Sequence, residues 1–375
     1  MEPGHFRWQS RFSRAVHRFC LQVAAQGSAL DRTLCVAPMM DWSDRHCRYF
    51  HRLLAPSALL YTEMVTAGAV LHGDCERLLG YDAAEHPLAL QLGGCEPADL
   101  ARCARIAEER GYDEVNLNLG CPSDRVQRGR FGACLMREPA LVGDCVAAMR
   151  GAVAIPVTVK TRLGVDEFDN YAWFSDFVGR VAAAGCAVFI VHARKAWLSG
   201  LSPKENRDVP ELKYEWVYRL KQENPGLTVV LNGGIRSAGE VERHLRELDG
   251  VMLGRAAYHD PWLLAELQER LFGRRGSADR AAAVEAMTEY LQGQVRQGVP
   301  AKHISRHVLG LFQGRPGARR WRRYLSQHAH LEPENGDLLL QALAHMREAA
   351  AGGSSGGPSG GSATVHKDAL EWKPV

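Results

Sequence analysis

Short apolar runs recur along the chain between Leu34 and Ala256, and each ends in a polar residue or a glycine. Most are followed by a stretch with the spacing of an amphipathic helix. Strands that alternate with helices predict βαβ units around a parallel sheet. The predicted strands are Leu34–Met40, Ala58–Met64, Leu88–Gly94, Val115–Cys121, Val157–Gly164, Ala187–Ala193, Thr228–Gly234 and Gly250–Ala256. Eight units favour a closed (β/α)8 TIM barrel. An open doubly wound sheet is the alternative, but its usual G-x-G-x-x-G turn is absent after the first strand.

Helical patterns lie between these strands and continue beyond them. The segment Asp99–Arg110 is predicted to begin at Asp99 as N-cap, and Ser237–Leu248 begins with the capping-box spacing of Ser and Glu. After Gly273 the strand pattern stops, and helices are predicted at Ala281–Gln297, Ile304–Phe312, Gly317–Ala329 and Leu338–Ala350. We therefore expect an N-terminal extension (1–32), a barrel domain (33–273), a small all-helical domain (277–350) and a flexible Gly/Ser-rich tail (351–375).

Positive charge is concentrated in the predicted helical domain. The chain is 46% hydrophobic, which allows a sizeable core, and its formal net charge is only +3. Residues 274–330, however, contain eleven Arg or Lys against three acidic residues. A basic module attached to a near-neutral body indicates a polyanionic partner. No protein partner is indicated.

The cysteines and the apolar runs bear on location. The ten cysteines include no C-x-x-C pair, which argues against a zinc site and against a disulfide framework. Such usage is typical of the reducing cytosol, so a cytoplasmic protein is expected. No apolar run reaches the roughly 18 residues that span a membrane, and the first 32 residues lack the apolar segment of a signal peptide.

Polar side chains stand at the carboxyl ends of the predicted strands, where barrels of this kind carry their active sites. They include Gln91, Asn118, Lys160, His192 and Asn232. One polar strand end is more commonly a capping or solvating residue, but a full ring of them is hard to explain structurally. Lys160 interrupts an apolar strand, so it either faces an anion or electron-rich ring in the mouth or points outward with its amine in water.

Glycine-rich turns follow the last two strands, at Gly233–Gly234 and at Gly254–Arg255. Barrels commonly bind a phosphate at this place, although ordinary strand-to-helix turns also need glycine. A bound flavin mononucleotide (FMN) explains these features together. Its phosphate would lie on the glycine turns, and Lys160, Gln91 and His192 would contact the ring edge.

One cysteine differs from the other nine. Cys121 lies between Gly120 and Pro122, so it occupies a turn at a polar strand end where its side chain is exposed to the mouth. A thiol in such a place can donate a proton. The alternative, an ordinary buried cysteine, is accepted for the others.

Several segments resemble the tRNA-dihydrouridine synthases. They are APMMDWSDRHCRYF from Ala37, LYTEMV from Leu60, LQLGG from Leu90, NLNLGCPSDRV from Asn116, VTVKTRLG from Val157, VHARKAWLSGLSPKENR from Val191, LNGGI from Leu231, MLGRAAY from Met252 and LGLFQGRPGARRWRRYL from Leu309. The resemblance covers about residues 33–330. The HARKAWLSGLSPKENR segment is similar to the bacterial A-type subfamily, which modifies positions 20 and 20a of the D-loop.

The resemblance implies roles for individual residues. FMN would be held by Pro38, Met39, Met40, Gln91, Lys160, His192, Asn232, Gly233, Gly234, Gly254 and Arg255. Contacts to tRNA would come from Asn118, Lys204 and Arg207 beside the site and from Arg319 and Arg322 in the helical domain. Cys121 would be the proton donor, and NADPH the reductant of the flavin.

The implied reaction is reduction of the uracil C5–C6 double bond, with hydride from the flavin to C6 and a proton from Cys121 to C5. The target base must be flipped out of the RNA. Arg319, Arg322 and Arg323 share one face of a predicted helix, whereas Trp321 and Tyr324 are predicted to pack inward. Two alternatives stay open: an FMN barrel oxidoreductase for a small molecule such as dihydroorotate or an enone, and a tRNA-binding module without catalysis.

Overall fold

Eight parallel strands close into a barrel in which neighbours in sequence are neighbours in space. The computed structural model describes residues 30–351, so the predicted N-terminal extension and Gly/Ser tail lie almost entirely outside the described residues. The strands are β1 (Leu34–Val36), β2 (Leu59–Thr66), β3 (Leu88–Gly93), β4 (Glu114–Leu119), β5 (Val157–Arg162), β6 (Val188–His192), β7 (Thr228–Asn232) and β8 (Gly250–Leu253). All eight predicted strands are present and the (β/α)8 prediction is confirmed.

The helices surround the barrel and then continue past it. They are α1 (Arg45–Leu54), α2 (Ala67–His72), α3 (Cys75–Leu79), α4 (Pro97–Glu109), α5 (Asp124–Arg128), α6 (Pro139–Ala152), α7 (Tyr171–Ala183), α8 (Tyr214–Glu223), α9 (Ala238–His244), α10 (Arg255–His259), α11 (Trp262–Phe272), α12 (Arg280–Arg296), α13 (Lys302–Ser305), α14 (Ala318–Leu331) and α15 (Leu338–Ala351). No helix in residues 30–351 is long and apolar enough to cross a membrane.

The barrel interior is apolar on most strands and polar on β4. Inward residues such as Cys35, Leu59, Ile190 and Met252 form a closed apolar cluster inside the barrel. On β4, by contrast, the alternate residues Glu114, Asn116 and Asn118 are polar and buried. Because alternate side chains of a strand point to the same side, these three form one inward row that runs toward the carboxyl end.

Glu114 begins this row at the closed end of the barrel, where it is fully buried. Its carboxylate accepts hydrogen bonds from the guanidinium of Arg32, from the Tyr61 hydroxyl at 2.7 Å and from the Thr158 hydroxyl at 2.6 Å. A buried carboxylate is tolerated only when it is paired and hydrogen-bonded in this way. Glu114 therefore fixes β2, β4 and β5 to the segment that precedes β1.

Replacing Glu114 with alanine should lower the free energy of unfolding by about 3–5 kcal/mol, because Arg32 would be left as a buried charge without its partner. Denaturant titration followed by circular dichroism measures the change. Glu109→Ala, at an exposed position on α4, is the control and should change stability by less than about 0.5 kcal/mol. Equal stability of the two variants would contradict this role for Glu114.

Two helix predictions need correction. Asp99 is not an N-cap: α4 begins at Pro97 after Glu96, and Asp99 lies in its first turn. The prediction of a helix at Ile304–Phe312 is wrong, because only Lys302–Ser305 is helical and turns follow. In this segment tertiary contacts outweigh helix propensity. The Trp321 indole donates to the Val308 carbonyl at 3.0 Å. A Cβ at Gly310 would lie 2.5 Å from a backbone oxygen of a neighbouring helix.

The C-terminal helices attach to the barrel through Asp44, the N-cap of α1. Its carboxylate accepts a hydrogen bond from Arg306 at 2.8 Å and lies 3.0 Å from Nε2 of His307. Nearby, Nδ1 of His46 is 2.8 Å from the Tyr290 hydroxyl. These contacts hold α12 and α13 beside the loop that follows β1, close to the open end of the barrel.

Candidate active site at the mouth of the barrel

The polar row of β4 continues up to the turn that contains Cys121. The Asn116 side chain donates to Thr158 and accepts from Nε2 of Gln91 at 2.8 Å. Gln91 in turn accepts from Nδ2 of Asn118 at 2.8 Å. The Asn118 oxygen then accepts the backbone amides of Gly120 and Cys121 at 3.1 and 3.0 Å. An unbroken hydrogen-bonded chain therefore connects the barrel floor to the Cys121 turn.

Cys121 is half-buried in this turn, with its Sγ 3.5 Å from the Ser123 hydroxyl. Its carbonyl accepts the Ala133 amide at 2.9 Å, which holds the turn from the other side. The nine cysteines in residues 30–351 are all free thiols. The backbone around Cys121 is thus fixed, and its thiol lies where the mouth opens.

Lys160 points into the mouth from β5. Its Nζ donates to the Asn232 oxygen at 2.9 Å, and Nδ2 of Asn232 donates to the Met252 carbonyl at 2.8 Å. Burial, together with the nearby Arg162 charge, lowers the pKa of Lys160 to about 7, and a thiolate at Cys121 would raise it. Within the described residues no carboxylate pairs with this ammonium, so the pocket is suited to an anionic or electron-rich ligand.

His192 lies at the end of β6 beside the same cationic groups. Burial and the charges of Arg162 and Lys160 hold the pKa of His192 well below its usual value, so the imidazole is neutral at pH 7. A Cβ on Gly233 would lie 2.5 Å from Cδ2 of His192, and Gly233 has φ +109°. Glycine is therefore required there for backbone conformation and for close approach to the ring.

The start of α9, next to the Gly233–Gly234 turn, is capped by side chains of the helix itself. Ser237 begins α9 with the predicted capping box. However, the Glu240 carboxylate accepts the amides of Arg236 and Ser237 at 2.7 and 3.0 Å. Glu240 therefore binds the two amides just before α9, and the glycine turns stay the predicted place for a phosphate. A Cβ on Gly254 would meet nothing nearer than 3.8 Å, so the backbone there is open beside Met39.

Arg255 is engaged by a carboxylate of the chain itself. Its guanidinium donates to both oxygens of Asp208, at 3.0 and 2.6 Å. Asp208 follows Arg207 in the segment 193–213 after β6, which we call the β6 loop. The structure thus brings the predicted cofactor residue Arg255 together with the loop that carries the predicted RNA contacts Lys204 and Arg207, both of which are exposed.

Two residues of the mouth were not assigned a role from the sequence. Arg162 donates from Nε to the Gly120 carbonyl at 3.1 Å and from Nη1 to the Lys195 and Asn206 carbonyls at 3.0 and 2.8 Å. Glu63 accepts the Asp41 amide and so holds the loop after β1. Their position at strand ends was visible in the sequence, but their partners are backbone groups far along the chain.

The predicted basic helix is α14. Arg319 and Arg323 are exposed, and Arg322 is half-exposed with Nη1 donating to Gln313 at 2.8 Å. Trp321 is fully buried, as predicted. The helix packs against α15 and α13, so Arg319 and Arg322 lie on the C-terminal helices rather than in the mouth.

Comparison with known proteins identifies the family. The family model described as dihydrouridine synthase matches residues 35–349. A tRNA-dihydrouridine(20/20a) synthase of Xanthomonas campestris pv. campestris is 64% identical over 309 residues, which are 82% of this chain and 92% of that protein. The Salmonella typhi protein of the same name is 57% identical over 326 residues, with 86% and 98% covered.

A solved structure of morphinone reductase matches with a TM-score of 0.46 and 15% identity, covering 67% of this chain and 88% of that chain. The family model spans most of the chain, and the two bacterial relatives are 64% and 57% identical to it over nearly their whole length. The chain therefore belongs to the dihydrouridine synthase family.

Proposed function

We propose that this chain is an FMN-dependent tRNA-dihydrouridine synthase that uses NADPH and reduces uridines at positions 20 and 20a of the D-loop. The observation that carries the proposal is the hydrogen-bonded chain from Glu114 to the Cys121 turn, which fixes a thiol beside a ring of buried amides and cations. Family membership supplies the reaction class, and the mouth supplies the residues for it. The cytoplasm, where tRNA is modified, is the proposed location.

The residues of the mouth fit a flavin. The ammonium of Lys160 lacks a carboxylate partner within the described chain, and the Gly254 backbone is open beside Met39. When bound, FMN would supply the hydride that reduces C6 of uracil. The proposed binding residues are Pro38, Met39, Met40, Gln91, Lys160, His192, Asn232, Gly233, Gly234, Gly254 and Arg255.

Cys121 is the proposed proton donor to C5. A thiol, unlike a carboxyl group, is ordinarily protonated near neutral pH and so brings no negative charge to an electron-rich cofactor. Asn118 sets the direction of the turn by accepting the amides of Gly120 and Cys121. Holding the donor in place before the base arrives is the main contribution that these residues make to the rate.

The RNA must deliver a base that is stacked in folded tRNA. Extruding it costs a few kcal/mol, which contacts to the phosphate backbone offset. Lys204 and Arg207 on the β6 loop and Asn118 are proposed to bind beside the mouth, and Arg319 and Arg322 on α14 farther out. The C-terminal helices would act as the RNA-binding unit, and NADPH would use the same mouth in alternation with tRNA.

Cofactor affinity should depend on pH through Lys160. Its pKa of about 7 means that the amine is charged below pH 7 and neutral above it in the free pocket. Since an anionic ligand favours the charged form, FMN affinity of the apoprotein should fall as pH rises through 7. Fluorescence titration of FMN between pH 6 and pH 9 measures this. The decline should be absent in Lys160→Met, and a decline of equal size in that variant would contradict the assignment.

The most direct genetic test maps dihydrouridine in tRNA from a strain that lacks its own enzyme for positions 20 and 20a and carries this gene. Restoration at those positions is expected. Restoration elsewhere would correct the site, and none would count against the function. For the purified protein, cofactor release identifies FMN, and oxidation of NADPH against NADH identifies the reductant. Reductant use that tRNA does not stimulate would favour a small-molecule oxidoreductase.

A further inference from the structure

The mouth concentrates exposed apolar side chains. Of the large hydrophobic residues that are exposed in the described part of the chain, Met40 follows β1, and Trp197 and Val209 lie on the β6 loop. The other two, Leu331 and Leu340, belong to the C-terminal helices. Trp197 is the aromatic member of this group, and 37% of it is accessible. An exposed indole on a loop beside an active site is a candidate contact for a partner.

The side chain of Asn206, which is fully buried, binds the backbone of Trp197. The Asn206 oxygen accepts the Trp197 amide at 2.8 Å, and its Nδ2 donates to the Trp197 carbonyl at 2.9 Å. Arg162 donates to the Asn206 carbonyl in turn. The tryptophan is therefore exposed while its backbone is fixed, so little conformational entropy is lost when its ring makes a contact.

The same loop is joined directly to the Cys121 turn. Nε2 of Gln127 donates to the Pro122 carbonyl at 2.8 Å and to the Leu198 carbonyl at 2.6 Å. Pro122 follows Cys121 in sequence, and Leu198 follows Trp197. A single amide nitrogen thus bridges the residues next to the thiol and next to the indole. The Cys121 turn and the loop segment that carries Trp197 are therefore held together.

One face of the indole is already covered. Nζ of Lys195 lies 4.0 Å from the ring centroid, and Asp169 pairs with this ammonium at 2.9 Å. The accessible part of the ring is therefore on the other face and the edges. Lys204 and Arg207, both exposed on the same loop, provide positive charge for a phosphate backbone. A flat base attached to an anionic chain complements this arrangement.

We propose that Trp197 is a stacking platform for the nucleobase next to the uridine that enters the mouth. The inference rests on the proposed function and adds to it a residue that binds the RNA through an aromatic contact. Stacking would keep the neighbouring base from following the target into the pocket and would hold the strand open at the place where Cys121 acts. The occupant is RNA because Lys204 and Arg207 are exposed on the same loop and this loop is hydrogen-bonded to the Cys121 turn.

Removing the ring should weaken tRNA binding roughly five- to 150-fold, the usual range for removal of one base–aromatic stack. The variants are Trp197→Ala and Trp197→Phe, with Val209→Ala as the matched control on the same loop. Filter binding of unmodified tRNA to the FMN-loaded protein gives Kd at several salt concentrations. Steady-state turnover gives kcat and KM, and absorbance gives flavin content.

For Trp197→Ala we expect a higher Kd and KM, unchanged flavin content and a kcat that changes much less than KM. The slope of log K against log salt should be unchanged, because no charge is removed. Trp197→Phe should recover most of the affinity, and Val209→Ala should bind as the wild type does. A Kd in Trp197→Ala equal to that of the wild type would overturn the platform, as would a reduced salt slope or a phenylalanine variant no better than alanine.

Two further outcomes separate the alternatives. If the wild-type protein forms no dihydrouridine, the proposed function fails. If it does form dihydrouridine while Trp197→Ala binds tRNA normally, the stacking inference alone fails. Sedimentation without RNA gives the other check: an oligomer that Trp197→Ala dissociates would assign the indole to a contact between copies of the chain and would overturn the RNA assignment.

Discussion

Replacing Cys121 with alanine should reduce dihydrouridine formation by about 10²- to 10⁴-fold, the range for loss of a positioned general acid. The Asn118 bonds that shape the turn go to the backbone amides of Gly120 and Cys121, so alanine leaves the turn intact. Flavin content and tRNA affinity should therefore be unchanged. Single-turnover conversion with pre-reduced enzyme measures the effect on the chemical step without the reductive half-reaction.

Cys75→Ala is the control for this experiment. Cys75 is a half-buried thiol on α3, and its Sγ lies 3.1 Å from the Val70 carbonyl, outside the mouth. That variant should react at the wild-type rate. Wild-type conversion by Cys121→Ala would remove the thiol from the mechanism. Loss of flavin from Cys121→Ala would mean that its role is in cofactor binding instead.

Changing Arg319 and Arg322 together to glutamine should weaken tRNA binding about 10- to 100-fold at physiological salt. It should also reduce the slope of log K against log salt by about one for each phosphate that the variant no longer binds. Both lie on α14, and the neighbouring Trp321 is buried, so neutral side chains can replace the two arginines without disturbing the core. Filter binding across a salt series measures both quantities.

The matched control changes two other exposed arginines, Arg320 on α14 and Arg347 on α15, in the same way. It removes the same net charge from the C-terminal helices, with one arginine on each of α14 and α15. If the control pair lowers affinity and slope as much as the Arg319 and Arg322 pair, α14 acts only through overall charge. If neither pair changes them, RNA binds elsewhere on the chain.

The strands were predictable because a buried parallel strand is a short apolar run, and eight such runs with helices between them favour a closed barrel over an open sheet. The Cys121 turn was predictable for a local reason, since Gly120 and Pro122 end the strand on either side of the thiol. The predicted ring of strand-end residues follows from the barrel geometry, which brings all eight carboxyl ends to one rim.

What supports that ring could not be predicted. Glu114 stands at the start of β4, where a run of apolar residues had not yet begun, so its burial was not visible in the sequence. The link from Asn116 to Gln91 and Thr158 depends on the register between three strands, which the apolar pattern does not specify. Arg162 contacts carbonyl groups of Lys195 and Asn206, which are 33 and 44 residues away.

The helix prediction for residues 304–312 was also wrong because of contacts with distant parts of the chain. Its residues have adequate helix propensity, but the Val308 carbonyl accepts the Trp321 indole and Gly310 packs against the backbone of a barrel helix. The benefit of these tertiary contacts exceeds that of another helical turn. Such errors are expected where the C-terminal helices meet the barrel, because local propensity does not include contacts between distant segments.

If a fixed thiol beside a flavin pocket reduces uracil in tRNA, the purified, FMN-loaded protein should form dihydrouridine when it is incubated with unmodified tRNA and NADPH. Mass spectrometry of the tRNA measures the product. We expect a gain of two hydrogens per modified uridine in the D-loop, with NADPH oxidised in proportion. If NADPH is oxidised at the same rate with and without tRNA and no dihydrouridine is formed, the thiol and the flavin pocket do not carry out this reaction.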